Sequence, residues 1–276
     1  MSTTFNHPDY QIPITLPAGL TPDQVLQFQP FQTWLQTLHH SLTTQSRPSH
    51  PFHTNPYTLH SITIQSHDLF GPTRIGFLKL TCSVTTPTGP GSPGEWLPGA
   101  VFLRGPSVAM LVILSPDDDP TERHVLLTVQ PRVAAGSLAF VELPAGMVDD
   151  VTQTFAGAAA REIKEELGME IEVSGLACLT DLAADAAEDG EEGLPRGVYP
   201  SPGACDEYIG VYAYEKAVPR GELASWTGRL TGLREEGERI TLRLVRMEEV
   251  WKVAGRDGKT LAAVALWEGL KREGRV

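Results

Sequence analysis

Leu143 to Met169 reads LPAGMVDDVTQTFAGAAAREIKEELGM, and this stretch decides the fold. Phe155, Ala159, Ile163 and Leu167 recur at i,i+4 steps, which predicts an amphipathic helix that packs by that stripe. Gly168 is placed to end it. The remaining circumference carries Arg161, Glu162, Glu165 and Glu166. Glu162 and Glu166 are spaced i,i+4 and share a face, where two like charges cost about 0.2–0.5 kcal/mol unless something offsets them. A divalent cation would do so. Clustered carboxylates with no His or Cys among them are hard oxygen ligands, suited to Mg²⁺ or Mn²⁺ and poorly suited to zinc. The tight LPAG turn is expected to bring the carbonyl of Ala145 to the helix start as a further oxygen ligand. Without the preceding strand and turn, REIKEEL would read as a solvated acidic face on an ordinary helix.

Working outward from this stretch, the chain before it alternates apolar and polar residues. Strands are predicted over Ala100–Arg104, Val108–Leu114, His124–Gln130 and Leu138–Leu143, with an acidic turn at Pro116–Pro120. Two earlier strands, TLHSITIQSHDLF and RIGFLKLTCSV, join at Gly71-Pro72. Thr85 to Gly99, TTPTGPGSPGEWLPG, is rich in Pro and Gly and reads as a linker or long loop after an N-terminal module. Within that module Thr21 to Leu42 has a helical pattern, with Thr21 capping, Pro22 at the first position and Pro30 expected to kink or split it. His39, His40, His50, His53 and His60 lack the spacing of a metal site.

After the stretch, Glu170–Leu182 suggests a strand pair and DAAEDGEEG a solvated acidic loop. YPSPGACDE is a turn-rich segment leading into a strand at Tyr208–Tyr214. A further strand is expected at Arg239–Val245, and a closing helix at Thr260–Lys271 with Leu261, Val264, Ala265 and Leu270 inward. Trp226, Trp251 and Trp267 read as packing residues. The chain contains no internal repeat.

Composition restricts the function. The formal net charge of the 276 residues is −12 and the basic residues form no stripe, which argues against nucleic acid or an anionic membrane as partner. Cys82, Cys178 and Cys205 are an odd number at unrelated spacings, fitting neither a disulfide framework nor a zinc site. No Lys or Arg precedes Arg47, and the longest aliphatic run, Val108–Leu114, is far shorter than a membrane span. A cytoplasmic protein is expected.

GMVDDVTQTFAGAAAREIKEELGM resembles the Nudix box: Gly, five residues, Glu, seven residues, then Arg-Glu-aliphatic-x-Glu-Glu-x-Gly-aliphatic. Arg161, Glu162, Ile163, Glu165, Glu166, Gly168 and Met169 match its second half, and Gly146 anchors its first. Two departures stand out. The spacing from Gly146 to Arg161 is one residue longer than usual, and Thr152 or Gln153 occupies the place of the intermediate Glu, with Asp149 or Asp150 as the available substitutes. LPAGMVDD, FLRGPSVAML, RIGFLKL, WLPGAVFLRG and TLAAVALWEGLKREG narrow the resemblance to plant-type ADP-sugar diphosphatases of the Nudix superfamily, over most of the chain.

The resemblance implies an α/β fold: a Nudix α/β/α sandwich at residues 100–276 and an N-terminal β-rich module at residues 1–99 that forms a homodimer. It implies Mg²⁺- or Mn²⁺-dependent hydrolysis of a nucleoside diphosphate sugar. Glu162, Glu166 and the Ala145 carbonyl would be the principal metal ligands, with Glu165 a further one. Arg161 would orient a box carboxylate. SPGACDE places Glu207 as general base, with Glu165 or Glu166 next in line, and Arg132 and Arg104 are the candidate substrate contacts. ADP-ribose or ADP-glucose is the first expectation. GDP-mannose, NADH or another dinucleotide is the alternative within the same chemistry, and a non-catalytic nucleotide-binding module the alternative outside it.

Overall fold

The computed structural model describes residues 2–89, 93–148, 154–186, 192–233, 235 and 239–276. Two compact units emerge. The first comprises Met1–Gly105 with Gly190–Pro195 and Ser201–Glu207; the second comprises Pro106–Asp189, Arg196–Pro200 and Tyr208–Val276.

The first unit opens with the antiparallel pair β1 (Thr3–Asn6) and β2 (Pro13–Leu16). Two helices follow, α1 (Pro22–Gln27) and α2 (Gln29–Thr44). Thr21 accepts from the Gln24 amide while the Gln24 side chain accepts from the Thr21 amide, a reciprocal cap. The expected split falls at Phe28, which is extended, and Pro30 then sits in the first turn of α2, where its missing N–H costs nothing. The long hairpin β3 (Thr58–Phe70) and β4 (Arg74–Thr85) turns at Gly71, whose φ of +78° favours glycine. Val25, Phe31 and Leu35 are buried against Ile14, Leu16, Ile62, Leu78 and Leu80 of the sheet.

The Pro/Gly-rich stretch differs from expectation, because it folds back on this sheet. Within it β5 (Trp96–Leu97) pairs with Val84 and Thr85 of β4, and directly after it β6 (Ala100–Leu103) pairs with Leu78–Thr81 of the same strand. The strand at residues 100–103, grouped in the sequence reading with the C-terminal domain, therefore belongs to the N-terminal sheet. Gly99 is required where the chain crosses β4, since a side chain there would overlap the carbonyl of Cys82.

The second unit is an α/β/α sandwich. Its central strand, β7 (Ser107–Pro116), runs antiparallel to β8 (His124–Arg132). β9 (Ser137–Glu142) pairs with β8, and β10 (Ala145–Met147) pairs with the start of β7. Helix α3 (Phe155–Glu162) follows. A two-residue strand, β11 (Ala177–Cys178), leads into α4 (Leu179–Ala186). β12 (Ile209–Val218) lies parallel to β7, and α5 (Arg220–Trp226) and β13 (Leu230–Thr231) precede β14 (Ile240–Arg246), which pairs with β8. The chain closes with α6 (Val250–Val253) and α7 (Gly258–Arg272).

β7 explains the layering. Its residues alternate faces with period two, so Val108, Met110, Val112 and Leu114 pack with Ala158, Ile163, Leu223 and Trp226 on one side. Ala109, Leu111 and Ile113 pack with Leu179, Val250, Ala263 and Trp267 on the other. Each of the Val, Leu, Ile and Met side chains among them contributes about 1.5–3 kcal/mol by leaving water, and each Ala methyl correspondingly less.

Three expectations are corrected. Glu170–Leu182 is not a strand pair: Val173–Gly175 is a short 3₁₀ turn, and α4 begins at Leu179 because Leu179 and Leu182 recur three apart against the sheet face that packs α7. The buried face of α7 is Thr260, Ala263, Trp267 and Leu270, while Leu261 is exposed. Trp251 is exposed, with Lys252 over its ring, whereas Trp226 and Trp267 pack in the core. The three cysteines are free thiols, and among the described residues no helix is long and apolar enough to cross a membrane.

Candidate active site

The helix of the opening stretch starts on Thr154, whose hydroxyl accepts from the Gly157 amide. It does not stay α-helical. At Ile163–Leu167 it widens into a single π turn, closed by Gly168 at φ +68°. Ala158, Ala159, Ile163 and Leu167 are fully buried, as the periodicity requires, and Phe155 is half-buried. Residues 149–153 lie outside the described residues, and with them Asp149, Asp150, Thr152 and Gln153.

Glu166 differs most from expectation. Instead of lining an outer charged face it is 5% exposed, inside the unit. Both of its oxygens are engaged: Gln130 Nε2 donates to Oε1 at 3.2 Å and the Ala145 amide donates to Oε2 at 3.0 Å. Burial pushes its carboxyl up to about 8; the Gln130 and Ala145 hydrogen bonds and Arg132 oppose this, and the nearby Glu162 carboxylate adds to it. Glu162 stands on the same strand backbone, its carboxylate filling the space that a side chain at position 146 would need. Gly146 is therefore the only residue type that lets Glu162 lie flat on β10. Arg161 donates to Glu162 at 3.3 Å and lies 3.9 Å from Glu165, which is one-third exposed.

The sequence-predicted ligands thus divide. Glu162 and Glu166 converge on Ala145–Gly146, and Glu165 turns toward Arg161. Ala145 contributes its amide to Glu166 at 3.0 Å, which leaves its carbonyl oxygen available as the expected backbone ligand. Among the described residues no group of three or more His, Cys, Asp or Glu side chains is arranged as a complete ligand set. Two oxygen-donor side chains fit a hard divalent cation that completes its shell with water and phosphate oxygens. The buried Glu166 carboxylate is the group that such a cation would compensate.

β8 carries the expected Arg132 and, at period two before it, Thr128 and Gln130, which the sequence did not single out; Gln130 donates to the Thr128 hydroxyl as well as to Glu166. That alternation of polar residues on an otherwise aliphatic strand was the available signal. Arg132 donates through Nε to Glu142, 2.5 Å away; Glu142 is buried and also binds Lys259. Asp257 caps α7, accepts from Lys259 at 3.0 Å and receives the amide of Leu143, so the LPAG segment is held from both ends.

Arg104 and Glu207 lie in the first unit, paired with each other at 3.3 Å. Asp206, beside Glu207, accepts from the amides of Arg104 and Gly105, and burial raises its carboxyl pKa despite those bonds. Arg104 Nε is buried without a hydrogen-bond partner among the described residues.

The Glu166 shift gives a pH dependence. A folded-state pKa of about 8 against an ordinary 4.5 means that the folded protein holds the proton more tightly than the unfolded chain. The associated stability is complete below about pH 4.5 and lost as pH rises through about 8. Calorimetry in EDTA should show the melting temperature falling over that window, and saturating Mg²⁺ should reduce the fall by favouring the ionised form. A metal-free melting temperature that rises from pH 5 to 8 would contradict the burial of Glu166.

Residues 103–264 match the family model of the NUDIX domain. Over 219 residues the chain is 39% identical to "Nudix hydrolase 14, chloroplastic" of Arabidopsis thaliana, a match that covers 79% of this chain and 65% of that protein.

Proposed function

The chain belongs to the Nudix family, and from that premise we propose that it hydrolyses the diphosphate bond of a nucleoside diphosphate sugar, ADP-ribose or ADP-glucose, to AMP and a sugar phosphate. The observation that carries this reading is the convergence of Glu162 and Glu166 on the Ala145–Gly146 backbone, an oxygen-donor pair with one buried member. The ADP-sugar assignment rests on the plant-type resemblance of LPAGMVDD, FLRGPSVAML, RIGFLKL, WLPGAVFLRG and TLAAVALWEGLKREG.

A Mg²⁺ or Mn²⁺ ion held by Glu162 and Glu166, with Glu165 as a further oxygen ligand, would neutralise the diphosphate and lower the pKa of a water. The chain's own groups do the rest. Gln130 and the Ala145 amide fix both oxygens of Glu166, so the carboxylate is set before substrate arrives. Arg161 restrains Glu162 and Glu165 together. Arg132 offers a guanidinium to a substrate phosphate, and Arg104 is the second candidate contact. Glu207 is the proposed proton acceptor for the attacking water, with Glu165 the alternative; the proton leaves as hydroxide adds to phosphorus in line.

A two-part chain accompanies this proposal, with the Nudix domain carrying the chemistry and the N-terminal module joining two copies into a homodimer. The cytoplasm is the proposed compartment; the Arabidopsis relative is described as chloroplastic, and a fluorescent fusion of this chain distinguishes the two. Incubating the purified protein with ADP-ribose, ADP-glucose, GDP-mannose and NADH, each with Mg²⁺ or with EDTA, tests the activity. Turnover of an ADP-sugar that EDTA abolishes is expected. A preference for GDP-mannose or NADH would move the substrate, and no metal-dependent turnover of any would remove the enzyme reading.

A further inference from the structure

Glu142 has no part in the chemistry proposed so far, yet it is a buried carboxylate, 2% exposed, at the end of the strand that leads into the box. Its two oxygens serve different cations: Oε1 accepts from Arg132 Nε, and Oε2 binds Lys259 Nζ, which Asp257 also holds. The choice of nitrogen on Arg132 matters. A guanidinium gripped through Nε has its orientation fixed while its terminal nitrogens, the pair that matches two oxygens of a phosphate, face away from the grip. Arg132 is 40% exposed, and among the described residues the structure records no second side-chain partner for it. Lys259 on the other oxygen keeps Glu142 from cancelling the whole charge of Arg132. Gln130, two residues before Arg132 on β8 and on the same strand face, donates to Glu166 at 3.2 Å, so the strand that carries the guanidinium also reaches a box carboxylate.

We infer that Glu142 is a positioning residue that aims the free fork of Arg132 at a phosphate of the substrate, with Lys259 as the counter-cation that leaves the fork its charge. This rests on the diphosphate reading above. It adds that the anion is bound by a guanidinium aligned in advance, whose anchoring reaches through Lys259 and Asp257 to the first turn of α7.

The test uses ADP-ribose and the full-length protein. Glu142→Gln is expected to raise KM by about tenfold or more with kcat changed little, since the lost alignment weakens binding of an oriented anion. Arg132→Ala should raise KM at least as far. In the Arg132→Ala background, Glu142→Gln should then add no further rise, because Glu142 acts only through that arginine. Equilibrium binding of ADP-ribose in EDTA should show the same pattern without any turnover. A purely structural role would instead lower the melting temperature and add to the Arg132→Ala effect. If Glu142→Gln does not fold, Arg132→Lys carries the test, because it keeps the charge and loses the Nε anchor and the fork; an unchanged KM there overturns the inference. An unchanged KM in a folded Glu142→Gln protein that turns over ADP-ribose also overturns it. Failure of the wild type to bind or cleave ADP-ribose refutes the substrate reading instead.

Discussion

Glu166→Gln is expected to abolish metal-dependent turnover of ADP-ribose, by about 10³-fold or more, while leaving the metal-free protein at pH 8 as stable as the wild type or more so. The two halves of that result have one cause. The carboxylate is buried, and burial drives its pKa to about 8, so its ionised form is costly to the fold and useful only when a cation is present. Gln has the same shape. Its carbonyl can accept from the Ala145 amide, and Gln130 can reverse its own amide to accept from the new NH₂ group. What disappears is the negative charge, and with it several kcal/mol of charge stabilisation in the transition state, at about 1.4 kcal/mol per factor of ten. The fall of stability between about pH 4.5 and 8 should disappear in the same variant. A Glu166→Gln protein that keeps wild-type kcat/KM would refute its place as a ligand, and one that loses several degrees of melting temperature in EDTA would refute the account of its burial.

Gly146→Ala is expected to cost at least about 100-fold in activity and to lower Mn²⁺ affinity, measured by electron paramagnetic resonance, with little change in melting temperature. The atoms nearest to a methyl group at this position are those of the Glu162 carboxylate, which it would overlap. The clash is relieved cheaply, by swinging the end of one flexible side chain, so the fold survives. Function does not, because a ligand displaced by about 1 Å can cost 10²-fold. Gly146 is not in the left-handed region, and replacing glycine there also removes unfolded-state entropy, which offsets part of any strain. Full activity in a folded Gly146→Ala protein would mean that the position of Glu162 against β10 is unimportant. Loss of folding would mean that the strand itself cannot yield.

The elements most legible in the sequence were those in which a single period dominates. Phe155, Ala159, Ile163 and Leu167 indicated the box helix, and the alternation through β3 and β4 indicated the hairpin, because both patterns are set by one buried face. The π turn was not legible: Glu162 and Glu166 count as four residues apart whether or not the helix widens between them. Nor was the burial of Glu166, since a polar residue inside a domain is specified by its partners, and Gln130 and Ala145 lie 36 and 21 residues away. Leu176–Leu182 misled for a different reason. Seven mostly small or apolar residues fit either a short strand or a helix turn, and only packing against α7 and β12 decides between them. Leu261 and Trp251 show the limit of amphipathic reasoning at the end of the chain, where an apolar side chain can face water without penalty to the rest of the helix. At the site, the second half of the box named Glu162 and Glu166, while Glu142, Lys259 and Asp257 became visible only as a folded cluster.

β7 has one more consequence, for the order in which the chain can be assembled. This strand is buried on both faces, and its parallel neighbour β12 begins about a hundred residues later, with Ser107 opposite Ile209. On a ribosome adding about 5–20 residues per second, β7 waits roughly 5–20 seconds for that partner, and longer for α7 to cover its second face. β8 and β10 can pair with it early, but one edge of the most apolar strand in the protein stays open through that interval. Translation of the segment between β7 and β12 is thus the period in which self-association competes with folding, and the step that a chaperone would have to protect.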